Sequence, residues 1–276
     1  MKKYFILTLF VLSCIAFVPV KGQTYDALLN DAEAFMEVDS LQQAEHLLLQ
    51  ALELDPNNPK SIVLYADLGI VQQKMGKDKE AIETFSVALE HFPDNVEFLK
   101  ARADLLLKGG ENNRAYMDIC KILDAEPKNI KALMAHAYLY FDREDYKGAC
   151  ADYKKVLELD PFHDTAKLGW VIAEQKCGNF EKSLTILEEM MADKGMVPQL
   201  LEVRANVLCA MERYEEALSD INLVIHSDNT VASAYMTRGD IWLAKKKRHK
   251  AKSDYQKALN LGIPYADLKD RLHKCR

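Results

Sequence analysis

Residues 130–163 read IKALMAHAYLYFDREDYKGACADYKKVLELDPFH, and the fold follows from this stretch. From Ile130 to Phe141 the apolar side chains Leu133, Ala137 and Tyr140 recur every three to four residues, the spacing of one face of an α-helix. Asp142 to Tyr146 breaks the pattern. Lys147 to Leu159 resumes it with Ala149, Tyr153, Val156 and Leu157, and Pro161 ends it. The stretch predicts two helices joined by a short turn.

The pattern returns along the chain at one step. Ala81, Ala115, Ala149, Ser183, Ala217 and Ala251 are spaced by 34 residues, and Ala44 precedes Ala81 by 37. Pro93, Pro127 and Pro161 keep the same step, with Pro56 again 37 earlier. Phe85, Ile119, Tyr153, Leu187, Ile221 and Tyr255 each stand four residues after the small residue, and Gly76, Gly110 and Gly178 stand five before it. Columns that share a period make an internal repeat. Seven repeats result: 25–58, 62–95, 96–129, 130–163, 164–197, 198–231 and 232–265, with three extra residues at 59–61. The small residue recurs because two helices cross there, and a larger side chain would hold them apart. A single helix pair cannot bury its apolar stripe, so each pair is covered by its neighbours. The solenoid domain is placed at 23–263, the last two positions of repeat seven already opening the cap. Residues 264–276 predict a capping helix in which Tyr265, Leu268 and Leu272 share a face.

Composition agrees with an all-α chain. Of 276 residues 49% are hydrophobic and 28% charged, which excludes a disordered polyelectrolyte. Eleven Gly and eight Pro are too few for a sandwich or barrel with many tight turns. The formal net charge of −6 gives no bias towards nucleic acid. Residues 1–22 are a separate object: Lys2 and Lys3, an uncharged run from Tyr4 to Val20, then Lys21 and Gly22. This predicts a secretory signal peptide cleaved after Gly22, and hence an exported chain in the periplasm or cell envelope. Two alternatives stand beside it: a retained membrane anchor, and a lipoprotein processed at Cys14 in Val11-Leu12-Ser13-Cys14.

The repeat resembles the tetratricopeptide repeat family. Tyr65, Leu68, Gly69, Ala81, Phe85, Ala88 and Pro93 match its signature, with Gln72 a departure; Leu133, Ala137, Tyr140, Ala149, Tyr153, Val156 and Pro161 match again, as do Tyr235, Gly239, Trp242, Ala251, Tyr255 and Ala258. The resemblance implies a right-handed α-α superhelix whose concave wall is lined by the first helix of each pair. Numbering each repeat from 1 to 34, that wall takes positions 2, 5, 9, 12 and 13. They hold Lys100, Asp104, Leu107 and Lys108; then Lys131, Met134, Tyr138, Phe141 and Asp142; then Thr165, Leu168, Ile172, Gln175 and Lys176. The groove so read is apolar at its middle, with Tyr138 and Phe141 off the packing columns, and it suits a protein or extended peptide ligand. The family's carboxylate clamp is not matched: Lys100 is followed by Asp104 at position 9, and Asn206 is preceded by Glu202 at position 5.

Catalysis leaves no signature here. His46, His91, His136, His163, His226, His249 and His273 occupy unrelated repeat positions, and there is no His-Glu-x-x-His, Cys-x-x-Cys, Gly-x-Ser-x-Gly or phosphate loop. The expectation is a non-enzymatic scaffold that needs no metal or cofactor. Trp170 and Trp242 fall at positions 7 and 11, where packing is their role. Cys150 and Cys177 fall at facing ends of neighbouring helices, and either a disulfide or a pair of buried thiols fits that placement. Residues 245–276 hold 11 Lys and Arg against 3 Asp. Within them Lys245, Lys246, Lys247, Arg248 and Lys250 form a basic run with no acid inside it. That run points to a second reading, contact with anionic envelope lipid or polymer, and to a third, head-to-tail self-association with the acidic body.

Overall fold

The computed structural model describes residues 24–275 except 56, 57 and 59. The leader at 1–22 lies outside the described residues, as do Pro56 and Asn57 at the end of the first repeat. Among the described residues every regular element is an α-helix. The chain divides into two compact units after Gly109, so the division falls between the two helices of the repeat at 96–129. The first unit holds α1 (Tyr25–Glu37), α2 (Leu41–Leu54), α3 (Ser61–Lys74), α4 (Asp78–His91) and α5 (Val96–Lys108). The second holds α6 (Asn112–Ala125), α7 (Ile130–Asp142), α8 (Tyr146–Leu159), α9 (Asp164–Lys176) and α10 (Phe180–Lys194). It continues with α11 (Pro198–Ala210), α12 (Tyr214–Ser227), α13 (Ala232–Ala244), α14 (Arg248–Asn260) and α15 (Tyr265–Lys274). Within each unit, helices consecutive in the chain pack against one another.

The two columns legible in the sequence are the two sides of each crossing. Ala44, Ala81, Ala115, Ala149, Ser183, Ala217 and Ala251 are all 0% exposed. The large residues four places on, from Phe85 to Tyr255, are buried as well. Where the residue is aromatic, its ring lies on a small residue of the first helix: a Cβ on Gly69 would stand 2.2 Å from Phe85 Cζ, and one on Gly239 2.5 Å from Tyr255 Cε1. Ser183 replaces Ala without loss because its hydroxyl donates to the Val171 carbonyl at 3.0 Å, which satisfies a buried polar group locally.

Turn geometry repeats with the same period. The residue at position 15 of every repeat has a left-handed backbone. Glycine serves at Gly76, Gly110 and Gly178, whereas Asp39, Glu144, Glu212 and Lys246 adopt φ of 56° to 61° with a Cβ in place. Helix starts follow the lattice too. Asn95 Oδ1 accepts from Phe98 N at 3.0 Å, Asn129 Oδ1 from Ala132 N at 3.0 Å, and His163 Nδ1 from Ala166 N at 3.2 Å. Each is the last residue of one repeat and caps the first helix of the next. At the chain's end α15 lies on the last hairpin. Leu268 is fully buried among Tyr235, Tyr255 and Ala258, and Arg271 Nε donates to Asp240 Oδ1 at 2.8 Å. No helix among the described residues is long and apolar enough to cross a membrane.

Candidate functional site

In the second unit, α7 carries Lys131, Met134, Tyr138 and Phe141, and α9 carries Leu168, Ile172 and Gln175. Tyr138 and Ile172 both occupy position 9. They are 55% and 37% exposed, while Leu133, Ala137, Leu139, Val171 and Ala173 beside them are buried. An aromatic and an aliphatic side chain therefore face solvent at equivalent places on two successive first helices. Lys131 is exposed and Gln175 half-buried at the edges of this face.

Three of the predicted groove residues belong partly to the core. Phe141 is half-buried in the cluster of Leu133, Ala149 and Tyr153, with its ring edge-on to Tyr146 at 5.0 Å. Met134 packs on the same cluster, and Leu168 on the cluster of Val171 and Leu184. This corrects the placement of Phe141 off the packing columns. Position 12 lies at the end of the first helix, where Tyr146 opens α8 and closes over it.

In the first unit, Lys100 Nζ donates to Glu97 Oε1 at 2.9 Å, and Lys108 Nζ pairs with Asp78 Oδ2 at 2.5 Å. Asp104 is exposed. The apolar surface of this unit's first helices lies one repeat earlier, at Val63 and Ile70 on α3, 44% and 42% exposed. Both stand at wall positions 2 and 9 of repeat two, so the same positional rule names them.

The basic run sits between α13 and α14. Lys245 caps α13, Lys246 takes the left-handed turn position, and Arg248 opens α14. The run holds no acid, but Lys245 is compensated from outside it: its ammonium pairs with Glu215 of α12 and lies near the Tyr214 and Trp242 rings. Lys250 Nζ stands 4.4 Å from the Trp242 ring centroid, a cation–π contact. Lys246, Lys247, Arg248 and Lys250 are exposed.

A polar ladder runs through the repeats that the signature does not foresee. Position 7, apolar in the family pattern, holds Arg102, His136, Arg204 and Arg238. Each of the last three reaches the Asp sixteen residues on, at position 23. His136 Nδ1 lies 2.7 Å from Asp152 Oδ2, Arg204 forks onto Asp220 at 2.7 and 2.6 Å, and Arg238 onto Asp254 at 2.8 and 2.7 Å. The same side chain also reaches back to position 25 of the preceding repeat: Arg102 to Ser86 Oγ at 3.0 Å, Arg238 to Asn222 Oδ1 at 2.9 Å, and His136 Nε2 to Cys120 Sγ at 3.8 Å. Asp152, Asp220 and Asp254 are buried, so the pairing is what permits their charge.

Repeat five departs from the ladder. Trp170 stands at position 7, and its Nε1 donates to Glu174 at 2.8 Å. Glu174, buried at position 11, also accepts from Asn179 at 2.7 Å and from Lys182 at 2.5 Å. Burial alone would raise its pKa, but the hydrogen bonds from Lys182, Asn179 and Trp170 outweigh it and hold the carboxyl below its usual value. Cys150 and Cys177 lie together as free thiols within hydrogen-bonding reach; burial, then Glu174 and Cys177, push the Cys150 thiol up to about 12. Among the described residues no group of His, Cys, Asp or Glu is arranged to hold a metal ion.

Comparison with known proteins bears on what this arrangement is. A model of a tetratricopeptide repeat-like domain matches residues 160–270, and tetratricopeptide repeat models match 130–163 and 67–95. The second of these coincides with the repeat frame read from the sequence. A crystal structure of a tetratricopeptide repeat protein from Parabacteroides merdae is 30% identical with a TM-score of 0.65, over 92% of this chain and 99% of that one. YrrB, described as a TPR protein with an unusual peptide-binding site, is 22% identical with a TM-score of 0.50, over 70% of this chain and 97% of YrrB. Among curated proteins, the CTR9 homolog of Arabidopsis thaliana is 33% identical over 98 residues, 35% of this chain. RNA polymerase II-associated protein 3 of Xenopus tropicalis is 38% identical over 99 residues, 36% of this chain. The matched regions span 9% and 15% of those two proteins.

Proposed function

Because this chain belongs to the tetratricopeptide repeat family, we propose that it is an interaction scaffold that binds a protein or extended peptide on the first-helix face of its repeats. The observation that carries the reading is the exposure of Tyr138 and Ile172 at equivalent positions, next to side chains that are fully buried. Exposed apolar side chains grouped on a rigid surface mark a place where a partner can bury area without ordering the receptor. The peptide-binding site in the description of YrrB is consistent with such a use of the fold. Export to the periplasm or cell envelope and a role in an envelope complex, read from residues 1–22, are part of the same proposal. In this reading the chain works by contact and not by turnover, in keeping with the family's general role.

Site-specific photo-cross-linking tests it. A benzoylphenylalanine at 138 or 172 should capture a common partner from the native extract, and one at exposed Glu189 on α10 should not. Capture should fall several-fold with Ile172→Glu, since interface anchors of this kind contribute more than about 1 kcal/mol. Equal capture from 138, 172 and 189 would overturn the reading. The alternative, contact of the basic run with an anionic surface, draws on exposed Lys246, Lys247, Arg248 and Lys250. It requires binding to anionic vesicles that weakens with salt and with Gln at those four positions.

A further inference from the structure

One rung of the ladder differs from the others in chemistry. Where the rungs of repeats three, six and seven carry a guanidinium, which cannot accept a proton, repeat four carries an imidazole, which can. Its Nδ1 points at the buried carboxylate of Asp152, 2.7 Å away, so in the neutral ring the proton sits on Nδ1 and is donated to Asp152. The lone pair then lies on Nε2, and the group facing Nε2 is the Cys120 thiol at 3.8 Å. The ring is held in this orientation by Tyr116, stacked at 5.2 Å, and Tyr140, at 4.4 Å. Cys120, His136 and Asp152 thus stand in the order nucleophile, base and orienting carboxylate, the arrangement that activates a thiol.

This sequence of groups opens onto space. Cys120 and His136 line a surface pocket of about 270 Å³, walled on its apolar side by Leu123, Pro127 and Leu133. Asp124 and Lys155 complete its lining, and Lys155 Nζ donates to the second oxygen of Asp152 at 3.2 Å. Other thiols are placed differently. Burial is the largest cause raising the pKa of Cys150, Cys209 and Cys275.

We propose that Cys120 is a reactive thiol, activated by His136 and positioned through Asp152, that exchanges with low-molecular-weight disulfides entering this pocket. The Sγ proton passes to His136 Nε2, giving a thiolate beside an imidazolium that Asp152 stabilises. The thiolate attacks one sulfur of the incoming disulfide R–S–S–R. A Cys120–S–S–R bond forms, the original S–S bond breaks, and its electron pair leaves on the second sulfur as R–S⁻, which takes the proton from His136 as R–SH. The protein thiol is oxidised and the small disulfide is the oxidant. His136 acts as base and Asp152 as a positioning residue.

Labelling of the intact chain tests this. With sub-stoichiometric iodoacetamide at pH 6.5, mass mapping should find Cys120 labelled at least about ten times faster than Cys177 or Cys209, because His136 is placed to take its proton. With dithionitrobenzoate, the first equivalent of thionitrobenzoate should come from Cys120 and disappear in Cys120→Ser. His136→Gln, which can still donate to Asp152 but cannot take a proton, should slow Cys120 labelling several-fold at pH 6.5 and change the pH profile of its rate. Asp152→Asn should lie between the two. The titratable groups set around the thiol are Tyr116 and Asp124 on α6, His136 and Tyr140 on α7, and Asp152 and Lys155 on α8. Label spread evenly over Cys120, Cys177 and Cys209 in the unmodified protein would overturn the proposal without recourse to any variant. So would an unchanged pH profile in a folded His136→Gln.

Discussion

The ring of Tyr255 occupies the space that a Cβ on Gly239 would need, 2.5 Å from Cε1 and 2.7 Å from Cδ1. The hydroxyl of that ring donates to Asp240 Oδ1 at 2.7 Å, which Arg271 of the cap helix also grips, so the ring cannot swing aside without breaking the contact that ties α15 down. Gly239→Ala should therefore destabilise the second unit by about 1–3 kcal/mol, although alanine favours a helix more than glycine does. Urea unfolding of the pair measures it. Gly109→Ala is the comparison: its nearest neighbour would lie at 3.4 Å, and the change should be close to neutral.

The turn residues invite the opposite change. Glu144 and Glu212 hold left-handed backbones that glycine takes in other repeats. Glu144→Gly and Glu212→Gly should each stabilise the chain by about 1 kcal/mol, a rise of a few degrees in Tm. Gly76→Ala should cost a similar amount. A Cβ there meets nothing within 4 Å, so any loss comes from the backbone alone.

The ladder sets a test of pairing against packing. Arg204→Ala would leave the buried Asp220 carboxylate without its fork, at a cost of about 2–3 kcal/mol, discounted because the Arg204 side chain is partly exposed. Replacing both, Arg204→Met with Asp220→Leu, should cost less than the single change, since an apolar pair leaves no charge behind. Chemical denaturation of wild type, single and double variants decides it.

Glu174 should make the stability of the chain depend on acid. Its carboxyl is held below the usual value in the folded protein, so its contribution is present above the unfolded carboxyl value of about 4.3 and is lost as the pH falls through the folded value. Glu174→Gln should lower Tm at pH 7, where the ionised form is anchored by Lys182, Asn179 and Trp170. The gap between variant and wild type should stay constant above about pH 5 and narrow as the pH falls below the unfolded carboxyl value. A calorimetric series across that range measures both.

What could be read in advance was what the lattice repeats identically. Ala149 and Tyr153 announce a crossing because a small residue and a ring four places apart recur at every step, and the helices lie where that pattern placed them. The ladder keeps the same register in only four of the repeats and appeared there as departures, since Arg204 and His136 replace the leucine that packing alone would choose. The signal that finds it is a second column, the Asp sixteen residues on. The face of α7 and α9 was half legible. Position numbers gave Tyr138 and Ile172, but whether Phe141 is free or covered depends on Tyr146, which lies across a turn and not on the same helix face.

The end caps carry a further consequence. Asn95, Asn129 and His163 close one repeat in sequence but secure the start of the following helix in space. A repeat in this chain is therefore not a self-contained brick: its opening bond is lent by whichever unit stands upstream. Moved to follow residue 197, where Val197 offers no such acceptor, the segment 130–163 would begin uncapped and forfeit about 1 kcal/mol, while carrying a spare acceptor at its far end. The order of the repeats is thus written into their joints, and shuffling them would change stability even if every buried contact were kept.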